Sequence, residues 1–200
     1  SNGLGSGLKE PTDGGLTTFG RKVVRRMNKL GMTIDTAHCG DRTAIDVAEA
    51  SEVPVLMSHC GARALWDTTR MKSDAALQAV AAGGGLIGIE AAPHTTLTAA
   101  HPEHSIESVM AHFEYVADLV GIDHVTFGPD TLYGDHVGLH HAYAAQLSIG
   151  ATHQGPTFEE VAYVKGLENP TECFPNIIRR LVSHGYSRDE IRKVVGGNAL

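Results

Sequence analysis

Apolar residues along this chain follow two patterns in turn. In one they recur every three or four positions, the period of a helix with one buried face. In the other they form short runs of strand length. Residues 34–38 and 55–59 are runs of the second kind, and each ends on a histidine, His38 and His59. Between them residues 41–50 carry helical spacing, with Asp41 as the cap and Ile45, Val47 and Ala48 as buried candidates. Strand, crossover helix and parallel strand make a βαβ unit, in which chemistry collects at the carboxyl ends of the strands. Alternation with period two puts Ile34, Thr36 and His38 on one face of the first strand, and Val55, Met57 and His59 on one face of the second. Two parallel neighbours then aim two imidazoles at one point.

The same reading extends over the rest of the chain. Residues 1–16 are Gly-rich, carry no period and read as a loop cut open. A helix follows, capped by Thr17 or Thr18, with Phe19, Val23, Val24, Met27 and Leu30 as its apolar stripe and Gly31 as its stop. After His59 comes a loop to residue 72, then a helix capped by Ser73 and carrying Leu77 and Val80, then a third strand at 86–90. A helix capped by Ser105 carries Ile106, Val109, Met110, Phe113, Val116 and Val120, and a fourth strand at 124–128 leads to Asp130. Residues 131–168 are too long for a plain loop and read as an active-site excursion with one short helix near 142–147. Two helices close the chain, one opened by Pro170 or Thr171 and one by the capping box Ser187 to Glu190. Four strands alternating with helices specify an α/β fold with a parallel sheet. Right-handed crossovers collect the strand ends, with His38, His59, Glu90 and Asp130, on one rim.

Composition narrows the partners. The net charge of −7 and the lack of a basic run exclude a nucleic-acid surface. No apolar run approaches ~18 residues, so no transmembrane segment is expected. The three cysteines fit neither a disulfide framework nor a structural zinc knuckle, and a reducing compartment is the default. Cys39 and Cys60 read as small buried fillers.

His38 and His59 with a carboxylate suit zinc, which takes imidazole nitrogen and carboxylate oxygen. Asp130 is a candidate to orient water and move its proton, against a plain reading as a turn residue. Arg70 is a candidate carboxylate clamp, against a plain reading as a solvated surface residue. Asp35 alternates away from the His38 face and reads as a structural hydrogen-bonding residue. His136, His140 and His141 form a cluster within reach of a metal, or a loop cluster with none.

Several motifs agree with one family. Residues 15–20 lead through Val23, Val24, Met27 and Asn28 into residues 30–38, ending Ile34-Asp35-Thr36-Ala37-His38. Ser58-His59, the run 84–88, the run 120–125 and the terminal Gly196-Gly197-Asn198 follow in order. Together they resemble the membrane (renal) dipeptidase family of zinc metallopeptidases. The resemblance implies a (β/α)8 TIM-type barrel with two zinc ions, acting on the peptide bond of dipeptides through a metal-bridging hydroxide. It implies that His38 and His59 hold the second zinc. It also implies that Asp130 lies beside the bridging water and that Arg70 binds the substrate's free carboxylate.

The family's first-zinc ligands, a His-x-Asp on the first strand and a bridging Glu, have no counterpart in residues 1–16. The expectation is therefore the C-terminal half of one barrel domain, supplying about the last four strands. Alone it is expected to be inactive, with the missing N-terminal half of the same polypeptide as its partner. The stretch Asp130-Thr131-Leu132-Tyr133-Gly134 departs from the family's Asp-x-Asp-Gly and leaves substrate preference open. A homodimer is compatible with this reading. A cytoplasmic location is favoured, with any targeting signal expected upstream. Two rival readings stand: another metal-dependent barrel hydrolase acting on a lactone, amide or ester, and a catalytically incomplete half-barrel binding module.

Overall fold

The computed structural model describes residues 2–93, 95–134, 138, 139, 142, 159 and 161–200. A parallel sheet lies at its centre, with β1 (Leu56–Cys60), β2 (Leu86–Ile89) and β3 (Val125–Phe127) in that order. These runs are short, and Met57, Cys60, Ile87, Ile89, Val125 and Phe127 are their buried apolar positions. Helix α3 (Asp74–Ala82) carries the chain from β1 to β2, and α4 (Ile106–Val120) carries it from β2 to β3. Ser73 caps α3 as its sequence position predicts, its side chain accepting the Ala76 N–H. Leu77 and Val80 of α3 and Val109, Met110, Phe113 and Val116 of α4 are all buried in one core with Met57, Ile87, Ile89 and Val125. Phe113 stacks on Phe127 at 4.7 Å and meets Tyr186 edge-on at 5.5 Å.

Helices α1 (Thr18–Lys29), α2 (Asp41–Ala50), α5 (Pro170–Ser183) and α6 (Arg188–Val194) complete the described architecture. The capping box of α6 forms as read: Ser187 N–H donates to Glu190 Oε2 at 2.8 Å, and Glu190 N–H donates to Ser187 Oγ at 3.3 Å. Asn198 then ties the chain's last turn to the sheet. Its Nδ2 donates to the carbonyls of Ile122 and Val125, at 2.8 and 2.9 Å.

Several expectations are corrected. The first strand, read over 34–38, shrinks to a single parallel bridge of Asp35 with Leu56. Thr36 N–H donates to Leu56 O at 2.8 Å and Leu56 N–H to Ile34 O at 2.9 Å, after which Cys39 N–H turns back to Thr36 O at 3.0 Å. The ladder stops because the Asp35 carboxylate, not a backbone carbonyl, takes the Ser58 N–H at 3.0 Å. Among the described residues the sheet thus has three strands and a bridge where four strands were expected. The alternation read for 55–59 also fails. The β1–β2 register shifts between Met57 and Cys60, and both of those side chains are fully buried. His59 therefore leaves the face that Met57 occupies.

At α2 the cap is not Asp41. Gly40 holds the cap position without a side chain, and Asp13 substitutes, accepting the Arg42 N–H at 2.6 Å and the Thr43 hydroxyl at 3.2 Å. The Gly-rich residues before α1 are likewise tied down, with Gly5 bridging Leu16 and Gly7 bridging Cys39. On α1, Val24 is buried but Phe19 and Leu30 are exposed. The short helix expected near 142–147, most of the 131–168 excursion, and His136, His140 and His141 lie outside the described residues. Among the described residues no helix is long and apolar enough to cross a membrane.

His112 of α4 links the two loops that follow β1 and β2. Its Nδ1 accepts the Ala62 N–H at 3.0 Å, and its Nε2–H donates to Leu97 O at 2.9 Å. Burial pushes its pKa down to about 4 despite the Leu97 bond. The folded state therefore keeps His112 neutral while the unfolded chain takes up a proton below its ordinary range. The stability this supplies is full above pH ~6.5 and is lost as pH falls towards 4. Between pH 7 and 4.5 the cost is about 2–3 kcal/mol. In His112→Gln, denaturant unfolding at the two pH values should show a stability loss smaller by that amount. Equal losses in the two proteins would mean that His112 is protonated in the fold.

Candidate metal site

The turn after Thr36 and the irregularity in β1 bring His38 and His59 together. Their Nε2 atoms lie 2.9 Å apart, with ring centroids at 5.0 Å and planes tilted by 56°. Two nitrogens on one tetrahedral zinc stand roughly 3.3 Å apart, from zinc–nitrogen bonds of ~2.0–2.1 Å. The second nitrogen of His59 is also accounted for. The Ser58 hydroxyl donates to Asp35 Oδ2 at 2.6 Å and lies 2.7 Å from His59 Nδ1. With its proton given to Asp35, the hydroxyl accepts from His59 Nδ1–H. That selects the tautomer whose Nε2 lone pair faces His38. His38 keeps an exposed edge. Burial of the rest of the ring, then the charges of Arg70, His59 and Lys72, lowers its pKa to about 4 against the pull of Asp130. The two Nε2 atoms thus converge as metal ligands require, with the His38 ring kept neutral. Two donors make part of a site. Among the described residues no group of three or more His, Cys, Asp or Glu is placed to hold a metal.

Asp130 stands at the end of β3 with φ of 54°, a left-handed backbone that few residues other than glycine adopt. Such strain recurs at functional positions. The segment leading to it is pinned to the sheet, since Gly128 N–H donates to Ile89 O at 3.0 Å and Ala91 N–H to Pro129 O at 2.9 Å. Gly88 and Gly128 are required beside the irregular part of β1. A Cβ on either would overlap the Ser58 carbonyl.

Arg70 is not a solvated loop residue, for only 13% of its side chain is exposed. Its Nη2 donates to His59 O at 2.8 Å and meets Glu90 Oε2 at 2.5 Å, while Nη1 donates to Ala37 O at 3.3 Å. One guanidinium therefore ties together the chain ends that carry the two histidines. Glu90, fully buried, also accepts a short bond from the Thr95 hydroxyl. Its position after an apolar strand marks it as a rim residue in the sequence, but its partner is visible only in the fold. Lys72, also buried, donates from Nζ to Cys39 O, and burial lowers its pKa. Nothing in the local sequence singles Lys72 out. Cys39 and Cys60 are free thiols whose pKa values burial raises, that of Cys60 to about 12. Cys60 is buried, as expected of a filler, while Cys39 is only half-buried.

The family model described as membrane dipeptidase (peptidase family M19) matches residues 3–151. The chain belongs to that family. Dipeptidase aclJ of Aspergillus oryzae is 32% identical over 96% of the chain, and Dipeptidase 3 of Mus musculus is 27% identical over 93%. The chain spans 39% and 32% of these relatives' lengths. Among solved structures, an amidohydrolase from Pseudomonas aeruginosa matches all of the chain with a TM-score of 0.83 and 31% identity, the chain covering 59% of it. A metallo peptidase from Rhodobacter sphaeroides, liganded with a phosphinate mimic of the dipeptide L-Ala-D-Ala, has the same fold. Its TM-score is 0.69 at 24% identity, over 98% of the chain and 48% of that protein. The α/β fold with a parallel sheet is thus shared with both of these proteins.

In this dipeptidase-family chain the Asp35–Ser58–His59 relay should set how well His59 binds metal. Outer partners of ligating histidines are typically worth about 10–100-fold in affinity. Ser58→Ala should lower zinc affinity by about that factor, read by competition with a chromophoric chelator, and Ser58→Thr should restore part of it. Identical affinities in all three proteins would show that the Nδ1 contact does not tune the ligand.

Proposed function

We propose that the protein carrying this chain is a zinc-dependent dipeptidase, with His38 and His59 as metal ligands, Asp130 as the proton-handling group and Arg70 facing the substrate's free carboxylate. The convergence of the two Nε2 atoms, with the His59 tautomer held by Ser58, is the observation that carries this reading. Family membership supports it, as do the relatives named dipeptidases. The relative titled an amidohydrolase supports amide-bond hydrolysis more broadly. We also infer that the sheet belongs to a (β/α)8 barrel in which residues 1–200 form the C-terminal part. Among the described residues β3 and the bridge at Asp35 are the two edges of the sheet, where the strands that would close the barrel would pair.

Zinc, when bound, polarises the scissile carbonyl and acidifies water. The chain's own residues do the rest. His59 is held in one tautomer by Ser58, and His38 stays neutral at physiological pH. Asp130, at the strained end of β3, takes the proton of the attacking water on its carboxylate and returns it to the leaving amine. The exposed edge of Arg70 orients the substrate's C-terminal carboxylate.

The test is turnover of a panel of dipeptides by the zinc-loaded full-length protein. His38→Ala and His59→Ala should each remove about one zinc per chain together with activity. Asp130→Asn should keep its zinc and lose roughly 10²–10⁴-fold in kcat. No turnover of any dipeptide by the zinc-loaded wild type would overturn the reading. Wild-type kcat in Asp130→Asn would remove Asp130 from the chemistry.

A further inference from the structure

The Arg70–Glu90 pair bears on which substrates the site prefers. A cation meant to capture a free carboxylate is most effective when it faces that carboxylate alone. Arg70 does not, because Glu90 Oε2 sits 2.5 Å from its Nη2. Glu90 is wholly buried, and Oε2 has no hydrogen-bond partner among the described residues. The Arg70 guanidinium is therefore what compensates that oxygen. Were Arg70 to swing towards a ligand, a carboxylate would be left buried and unpaired, a state that costs more than the new contact returns. The contacts of Nη1 with Ala37 O and Nη2 with His59 O hold the guanidinium in the same place. Lys72 does not replace the lost charge, since it is buried with its Nζ on Cys39 O.

We propose that Glu90 is a specificity-determining residue of this site. As the fixed counter-ion of Arg70, it weakens recognition of a free C-terminal carboxylate, so that the site also accepts dipeptides whose C-terminus is neutral, such as amides. The argument is one of charge and distance. A ligand carboxylate that meets the Arg70 guanidinium is attracted by it and repelled by Glu90 beside it. Because Coulomb energy falls only as the inverse of distance, that repulsion cancels part of the attraction. A neutral amide feels neither force and keeps its hydrogen bonds. Thr95, donating to the other oxygen of Glu90, keeps that carboxylate aimed at Arg70.

This rests on the dipeptidase reading, and the experiment separates the two. In the zinc-loaded full-length protein, kcat/KM is measured for one dipeptide and for its C-terminal amide. The wild type should prefer the acid by less than about tenfold. Glu90→Gln keeps the shape and removes the opposing charge, so its acid-to-amide ratio should rise by about 10- to 100-fold. A purely structural Glu90 would lose activity on both substrates alike and leave the ratio unchanged, which overturns the proposal. So does a wild type that already prefers the acid by about a thousandfold, a measurement that needs no variant to fold. If the wild type turns over neither substrate, the dipeptidase reading fails. Both proteins are then titrated with acetate. Tighter binding by Glu90→Gln still supports the counter-ion role, and equal binding overturns it.

Discussion

The rim of this sheet depends on where one carboxylate spends its hydrogen bonds. Asp35 accepts the Ala37 N–H and the Ser58 N–H, both at 3.0 Å, and the Ser58 hydroxyl at 2.6 Å. Burial opposes its charge. The bonds from the Ser58 hydroxyl and the Ser58 and Ala37 amides outweigh that, so its pKa lies below the ordinary carboxylate range. Each bond has a structural consequence. The one to Ala37 turns the chain out of the sheet just before His38. The one to the Ser58 amide takes a donor that would otherwise extend the ladder. The one to the Ser58 hydroxyl passes on to His59 and selects its tautomer. A polar group that ends a strand and also orients the His59 ring makes the candidate site part of the fold itself.

Around that carboxylate the charges of the rim are arranged in pairs. Arg70 meets Glu90, and the charge of Asp130 acts on His38, whose pKa burial and then the neighbouring cations lower. The arrangement suits a metal with incomplete ligation from this chain, because the His38 imidazole has no proton to lose before it binds. It also keeps Arg70 rigid. A guanidinium that bonds Ala37 O, His59 O and Glu90 at once is a strut between the segments that carry His38 and His59. Precision at the site comes from that rigidity, and from the core beneath it, where Phe113 packs on Phe127 and His112 ties the loops after β1 and β2.

Much was legible in the chain alone, for physical reasons that differ by element. The periodic stripe of α4, the Ser187–Glu190 box of α6 and the apolar runs of β2 and β3 are local patterns, and each folds as its own spacing dictates. The pairing of His38 with His59 was also legible, because equivalent positions in a βαβ unit are brought together by topology, whatever the detailed geometry.

The tertiary structure decided whatever depends on a bond between distant residues. Alternation predicted a full strand to His38 and one face for Val55, Met57 and His59. It failed on both counts because Asp35 outcompetes the backbone for Ser58, and side chain against ladder is a contest that period-two reasoning does not see. Asp13 caps α2 from 28 positions upstream of the first turn, a partner no window around Asp41 contains. The same holds for Glu90. Its place on the rim followed from the sequence, but its burial against Arg70, and hence the net charge that a ligand meets, is a property of three chain segments folded onto one another. The sequence determined which residues reach the rim, since strand order and spacing are local and topological. The fold decided which of them are already bonded to each other, since that depends on distances no spacing along the chain encodes.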